Sequence, residues 1–397
     1  MISKTYYIDN KKLFYIINIQ CYIVIIKKTY PKGGWIMKKW NLMMAATVMM
    51  VSLISFGGMT VCAEEVPEIE KMATVLPNVR GDGGTHDLAC KASEAIAESI
   101  DAELDIIELG TAVTDSAKWE AAMCDLCESD YDLIITGGSL MKDTIQIVAP
   151  MYQDIPFICY DVNLDFDAVE MPNVYAMDFY QNQAAFMAGV IAASMTESDY
   201  LGFVGATKIP VIYDFMVGFI AGAQEINPDI KVATAFTNDF NDATLAKELA
   251  MAQIDDGADI VYPACGNAAA GVYEAARDKG VFAIGNDQDV AAKYAGNDES
   301  ILKVILASVM KKVDNAVNDA YERYAAGELP FGTQETVGVA TDGAGIVKND
   351  YYEKMIPEEV KEVVVSYEEK IKNGEIIVPT AIGMEAEEID AMIASAQ

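Results

Sequence analysis

Histidine occurs once in 397 residues, at His86, which leaves little material for histidine-based catalysis or a His-rich metal site. Positive charge is also scarce, with 28 Lys+Arg against 61 Asp+Glu and a net charge of -33. A phosphate backbone would be repelled by such a chain, so nucleic-acid binding is disfavoured. Seven cysteines are too few to staple a disulfide-built fold of this length. No G-x-x-x-x-G-K-[ST] phosphate loop is present. What the chain does have is apolar content, 52% of its residues, enough to bury the cores of two ordinary domains.

The first 63 residues differ from the rest. They hold 8 of the basic residues and one acid, Asp9, so the remaining 334 residues carry a net charge of -40. Met37 opens a second beginning: Lys38 and Lys39, then an apolar run from Leu42 to Val61 that includes the Met cluster at 43–50, then Val61-Cys62-Ala63 before Glu64-Glu65. That order is a secretory signal peptide over 37–63. Lys32-Gly33-Gly34 can be encoded by AAA GGA GGN, which contains a ribosome-binding sequence just ahead of the Met37 codon, so residues 1–36 are expected to be a translated upstream leader. Two alternatives stay open. The apolar run is long enough to span a bilayer as an anchor, and Cys62 offers lipid attachment at the first mature residue, although Val61 is larger than the small residue usual before a lipidated cysteine. Either way the mature chain is expected outside the cytoplasmic membrane, associated with the cell surface.

From residue 71 short apolar runs alternate with amphipathic stretches. Strands are predicted at 73–79, 104–109, 132–136, 155–160, 201–205, 230–236, 258–264 and 281–286. Helices are predicted at 87–99, 115–129, 140–149, 182–197, 211–226, 242–256, 267–279 and 308–327. Such alternation builds parallel sheets covered by helices, with ligands at the loops after the strand C-termini. Those loops hold Gly81-Asp82-Gly83-Gly84-Thr85-His86-Asp87, Gly137-Gly138-Ser139, Gly266-Asn267 and Asn286-Asp287-Gln288-Asp289. Glycines there admit a ligand to the backbone, and carboxylates accept from paired hydroxyls. Their recurrence in two halves of the chain suggests a cleft between two lobes.

Leu201-Gly202-Phe203-Val204-Gly205, Ile209-Pro210-Val211-Ile212, Phe215 to Gly222 and Asn227 to Val232 resemble the signature block of the basic-membrane-protein family. More of its pattern follows in Gln181-Asn182, Phe186 to Gly189, Pro263 to Gly266, Ala283 to Asp287, Ser308 to Lys311 and the closing run 367–379. The resemblance covers about 71–380 and is similar to the purine-nucleoside-binding lipoproteins of that family. It implies an α/β type I periplasmic-binding-protein fold, two doubly wound parallel-sheet lobes joined by a three-crossing hinge. One lobe would be 68–176 plus 288–322, the other 177–287 plus 323–350, with a helical segment at 351–397. The implied function is a solute-binding protein that delivers a nucleoside or related ribosylated compound to the permease and ATPase of an ABC importer, with no cofactor and no metal.

The resemblance also implies site residues. Phe240 matches one of two phenylalanines that sandwich the base, whereas Cys90 stands at the other, so half the clamp is missing. Gly266, Asp287 and Lys311 match sugar-contacting positions, Ser139 a second-loop serine and Asp87 a first-loop acid. Asp82 matches a base-contacting acid if the loop is shifted by one residue. His86 could supply the replacement ring or be a solvated loop residue. Two other classes are weighed: a ligand-sensing receptor of the same fold, and a nucleoside-hydrolysing enzyme, since Asp82 and Asp87 superficially resemble an aspartate-rich calcium loop but lack its adjacent Asp pair. Cys124-x-x-Cys127 lies in a helical pattern without further ligands and reads as ordinary helix positions. Trp119 reads as packing, and Glu385 to Asp390 as a solvated helix start.

Overall fold

The computed structural model describes residues 68–77, 79–81, 83–110 and 116–397. The expected leader, signal peptide, Cys62 and Asp82 lie outside them.

The elements run β1 (Lys71–Leu76), α1 (Thr85–Ile100), β2 (Glu103–Glu108), α2 (Ser116–Cys127), β3 (Leu133–Gly137), α3 (Lys142–Val148), β4 (Phe157–Tyr160), β5 (Val174–Phe179) and α4 (Gln181–Met195). They continue β6 (Tyr200–Gly205), α5 (Pro210–Ile226), β7 (Lys231–Phe236), α6 (Ala243–Asp255), β8 (Ile260–Ala264), α7 (Ala269–Lys279) and β9 (Phe282–Asn286). The chain closes with α8 (Val290–Tyr294), α9 (Glu299–Leu302), β10 (Ile305–Lys311), α10 (Val313–Ala325), β11 (Thr333–Val337), β12 (Ala344–Ile346), α11 (Asp350–Met355), α12 (Glu358–Lys372) and α13 (Ala386–Ser395).

Two six-stranded sheets result, ordered β11-β5-β4-β3-β1-β2 and β12-β10-β9-β8-β6-β7. Every pairing is parallel except β10 with β12. The central strands β3 (LIITG) and β8 (IVYPA) are buried at all five positions, as strands covered by helices on both faces must be. In each sheet the order reverses beside the first strand of the lobe, between β1 and β3 and between β6 and β8. The crevice outside those strand ends is where a doubly wound fold binds ligands.

Lobe 2 owes its packing to glycine. Helices α4 and α5 cross so closely that a Cβ on Gly189 would strike the Phe219 carbonyl, one on Gly218 the Asn182 carbonyl and one on Gly222 the Phe186 carbonyl. Pro210 opens α5, where its missing N–H costs nothing. Asp214, 1% exposed, accepts from Gln181 Nε2 at 2.7 Å, Thr380 Oγ1 at 2.6 Å and Ala381 N at 2.8 Å. Asn182 Nδ2 donates to the carbonyls of Val378 and Pro379. The closing run of the chain is thereby sewn onto lobe 2, and the last helix follows it through Val232 N to Ala396 O.

The chain changes lobe between β5 and α4, between β10 and α10, and between β11 and β12. The first crossing falls beside the expected residue 177, but the other two correct the expected boundaries. Residues 288–311 belong to lobe 2, because β10 pairs with β9, and 323–337 belong to lobe 1, because β11 pairs with β5. The helix predicted at 308–327 is therefore a strand to Lys311 and a helix only from Val313. Ala, Met and Leu in ILASVMK suit a helix in isolation, and burial between β9 and β12 overrides that preference.

Candidate ligand cleft between the lobes

Four expected site residues stand at successive strand ends of lobe 2: Phe240 after β7, Gly266 after β8, Asp287 after β9 and Lys311 at the end of β10. The loop carrying Phe240 turns through Asn238, in the left-handed region at φ 56°, and leaves the ring 40% exposed. Gly266, at φ 59°, lies beneath it: a Cβ there would come within 3.2 Å of Phe240 Cδ1. Phe240 O accepts from Ala268 N at 2.9 Å, and Asn267 Nδ2 donates to Asn241 Oδ1 at 3.0 Å, so the two loops brace one another.

Asp287 is held at φ 62°, its Oδ2 accepting from Asn286 Nδ2 at 2.9 Å. Asn286 is fixed in turn by the buried Tyr262 hydroxyl, which donates to its Oδ1 at 2.6 Å. Burial, reinforced by the negative charge of Asp287, pushes the neighbouring Cys265 thiol up to about 12.

Lys311 is 7% exposed and its ammonium bridges both oxygens of Asp161 in lobe 1, at 2.8 and 2.9 Å. Burial pulls its pKa down, but the charges of Asp161, Asp287 and Asp178 outweigh that and leave it above the usual 10.5. Asp161 adopts φ 51° immediately after β4. Sequence reasoning missed it; the only signal was an acid one residue beyond a buried strand.

Lobe 1 supplies the other wall. Asp87, in the first turn of α1, accepts from Gly81 N at 2.9 Å (Oδ1) and Gly83 N at 2.7 Å (Oδ2). Its carboxylate thus shapes the first loop. Cys90 is buried in α1, 3% exposed, one turn beyond Asp87. His86 packs against Gly138 and its Nδ1 lies 3.1 Å from the Tyr160 hydroxyl, the two rings edge to face with centroids 6.1 Å apart. Ser139 is exposed just after Gly138, which adopts φ 85°. Across the cleft, a Cβ on Gly83 would come within 2.9 Å of Gln288 Oε1, and one on Gly84 within 2.6 Å of the Asp287 carbonyl.

Other residues of the chain are accounted for by packing. Trp119 and Cys127 are buried in the core of lobe 1, and burial with Cys124 alongside pushes the Cys127 thiol up to about 12. Among the described residues no three His, Cys, Asp or Glu side chains gather as a metal site would require. Glu385 caps the last helix, its N–H donating to Glu388 Oε2 at 3.0 Å.

Two doubly wound lobes, three crossings and polar strand ends facing each other define the type I periplasmic-binding-protein fold. Solved structures agree on that fold: the solute-binding proteins of ABC transporter systems from Aeropyrum pernix K1 (TM-score 0.66, 21% identity, 82% of this chain and 98% of that one) and Conexibacter woesei (TM-score 0.66, 20%, 78% and 99%). Residues 69–381 match the family model described as ABC transporter substrate-binding protein PnrA-like, and the chain belongs to that Bmp family. Among its relatives are a CD4+ T-cell-stimulating antigen of Listeria innocua (32% identical over 260 residues, 63% of this chain and 71% of the relative) and the ABC transporter nucleoside-binding protein BmpA of Lactococcus lactis (29% over 264 residues, 64% and 72%). Basic membrane protein A of Borreliella burgdorferi is 27% identical over 320 residues, 79% of this chain and 88% of the relative. As the substrate-binding protein of an ABC importer, the chain works outside the cytoplasm with a small-molecule ligand and a permease and ATPase as partners.

Proposed function

We propose that the cleft captures a nucleoside, a purine nucleoside foremost, and hands it to the importer unchanged. The observation that carries this reading is the row of strand ends in lobe 2. An exposed aromatic ring on Phe240 is braced over the bare backbone of Gly266, and the next two strands present a carboxylate and a buried ammonium. A flat base stacks on such a ring for about 1–3 kcal/mol. A carboxylate bridging vicinal hydroxyls, with an ammonium donating to a ring or hydroxyl oxygen, suits ribose. The nucleoside-binding relative from Lactococcus lactis supports the same reading. With Cys90 buried inside its helix, the second face of the base falls to the part-buried His86 ring on lobe 1, which the buried Tyr160 braces. Export through the signal peptide at 37–63, with lipid on Cys62 or cleavage after Ala63, completes the proposal.

Calorimetric titration of the chain from Glu64, stripped of ligand by unfolding and refolded, tests it against adenosine, guanosine, inosine, cytidine, uridine, ribose and riboflavin. A purine nucleoside should bind at about micromolar Kd or tighter. Asp287→Ala should weaken that binding about tenfold or more through the lost charge-assisted hydrogen bonds. Silence toward every nucleoside would sink the reading, and affinity within about twofold of wild type for Asp287→Ala would sink the sugar assignment. Nucleoside recovered intact from the complex is expected; released base would favour a hydrolase.

A further inference from the structure

At Gly84 the first loop of lobe 1 reaches the backbone of lobe 2. Gly83 faces the end of Gln288, a flexible group that can swing aside, whereas Gly84 faces the backbone carbonyl of Asp287, where an added Cβ would lie at 2.6 Å. That carbonyl cannot rotate out of the way, because Asp287 is fixed in the left-handed region and the Asn286 side chain beside it is gripped by Tyr262. On the other side the loop cannot retreat either. Asp87 ties Gly81 N and Gly83 N with its two oxygens, and Gly84 is the residue from which α1 starts. Two stiff backbones therefore meet at one point, and the meeting point is the residue that carries the proposed sugar carboxylate.

We propose that Gly84 is the gauge of lobe closure and Asp87 its positioning residue: the lobes shut fully only because no Cβ separates the first loop from the backbone of Asp287. Asp87 acts on the ligand through this contact. The inference rests on the ligand lying between the lobes beside Asp287, as proposed above, but its test does not depend on which ligand that is.

Gly84→Ala is expected to resolve its clash by holding the lobes apart. With no ligand added, the Thr85→Cys, Gln288→Cys pair can be joined by a short bismaleimide, cross-linked peptides being identified by mass. Adding Gly84→Ala to that pair should slow cross-linking about tenfold, since the closed population falls. Cross-linking within about twofold of the parent pair would overturn the proposal whatever the wild-type chain binds. With adenosine as probe, Gly84→Ala should raise the dissociation rate about tenfold or more and leave the association rate nearly unchanged. Its thermal midpoint without ligand should stay at the wild-type value, which a purely structural glycine would not allow. Asp87→Ala should share the faster dissociation and Asp87→Asn, which keeps one acceptor oxygen, should restore part of it; equal behaviour of the two would remove Asp87 from the gauge. Wild type that ignores adenosine would count against the nucleoside reading alone, and the cross-linking rates would still decide the gauge.

Discussion

Lys311→Met is expected to cost the folded chain about 3 kcal/mol at neutral pH, because it leaves part-buried carboxylates without the buried cation they share. Asp161 stands on lobe 1 and Asp287 on lobe 2, with Asp178 adding its charge, and Lys311 is the ammonium they share. In the wild type the Lys311 pKa is raised, so its stabilisation is complete below about pH 10.5 and disappears only as pH climbs through the folded value. In the variant the acids repel one another only while they are ionised, so the deficit should shrink as pH falls from about 7 toward about 4. Urea unfolding of both proteins across that range measures it. A deficit below about 1 kcal/mol, or one that does not move with pH, would show that the ion pair is not what holds this part of the hinge.

Gly222→Ala should be as damaging, about 3 kcal/mol, for a reason that involves no charge. Alanine is the better helix former, so on propensity alone the change in α5 would be stabilising by almost 1 kcal/mol. The new methyl would collide with the Phe186 carbonyl of α4, a backbone atom, and the helices would have to part along a face that also brings Gly189 and Gly218 against carbonyls. Gly345→Ala, where a Cβ meets nothing within 4 Å, is the control and should fall within about 0.5 kcal/mol of wild type. Chemical denaturation of the three proteins side by side separates the cases. A Gly222→Ala variant as stable as the control would mean that α4 and α5 have room to spare.

Within residues 71–286 the other strands and the helices were legible because buried runs such as LIITG and IVYPA alternate with amphipathic stretches, whereas β5, VYAMDF, was not predicted: it is followed directly by α4 with no turn signal between them. Legibility failed at the hinge. ILASVMK carries no alternation, so Lys311, which ends a strand, was expected in a helix. The weak, polar TQETV strand becomes recognisable only through its pairing with β5. Glycines and strand-end acids on single loops could be picked out, and Phe240, Gly266, Asp287 and Lys311 do follow strand ends of one sheet, on β7, β8, β9 and β10. Partners across the cleft could not be, since nothing in the order of residues links Asp161 to Lys311 or Gly84 to Asp287; only the closed lobes bring them together.

The three crossings also set an order of events for a chain that is threaded out of the cell from its N-terminus. Strands β1 to β5 leave first, but the lobe they form stays incomplete until β11 arrives, after the whole of β6 to β10 has followed. In that interval the apolar strand VYAMDF lies at an open sheet edge with its backbone groups unpaired, a template for any passing strand. The second lobe waits for less, since its five parallel strands are contiguous from Tyr200 to Lys311 and only β12 and the closing run come after β11. The parallel core of lobe 2 can therefore form from one uninterrupted stretch, while the β5 edge of lobe 1 stays open until Thr333–Val337 pairs with it.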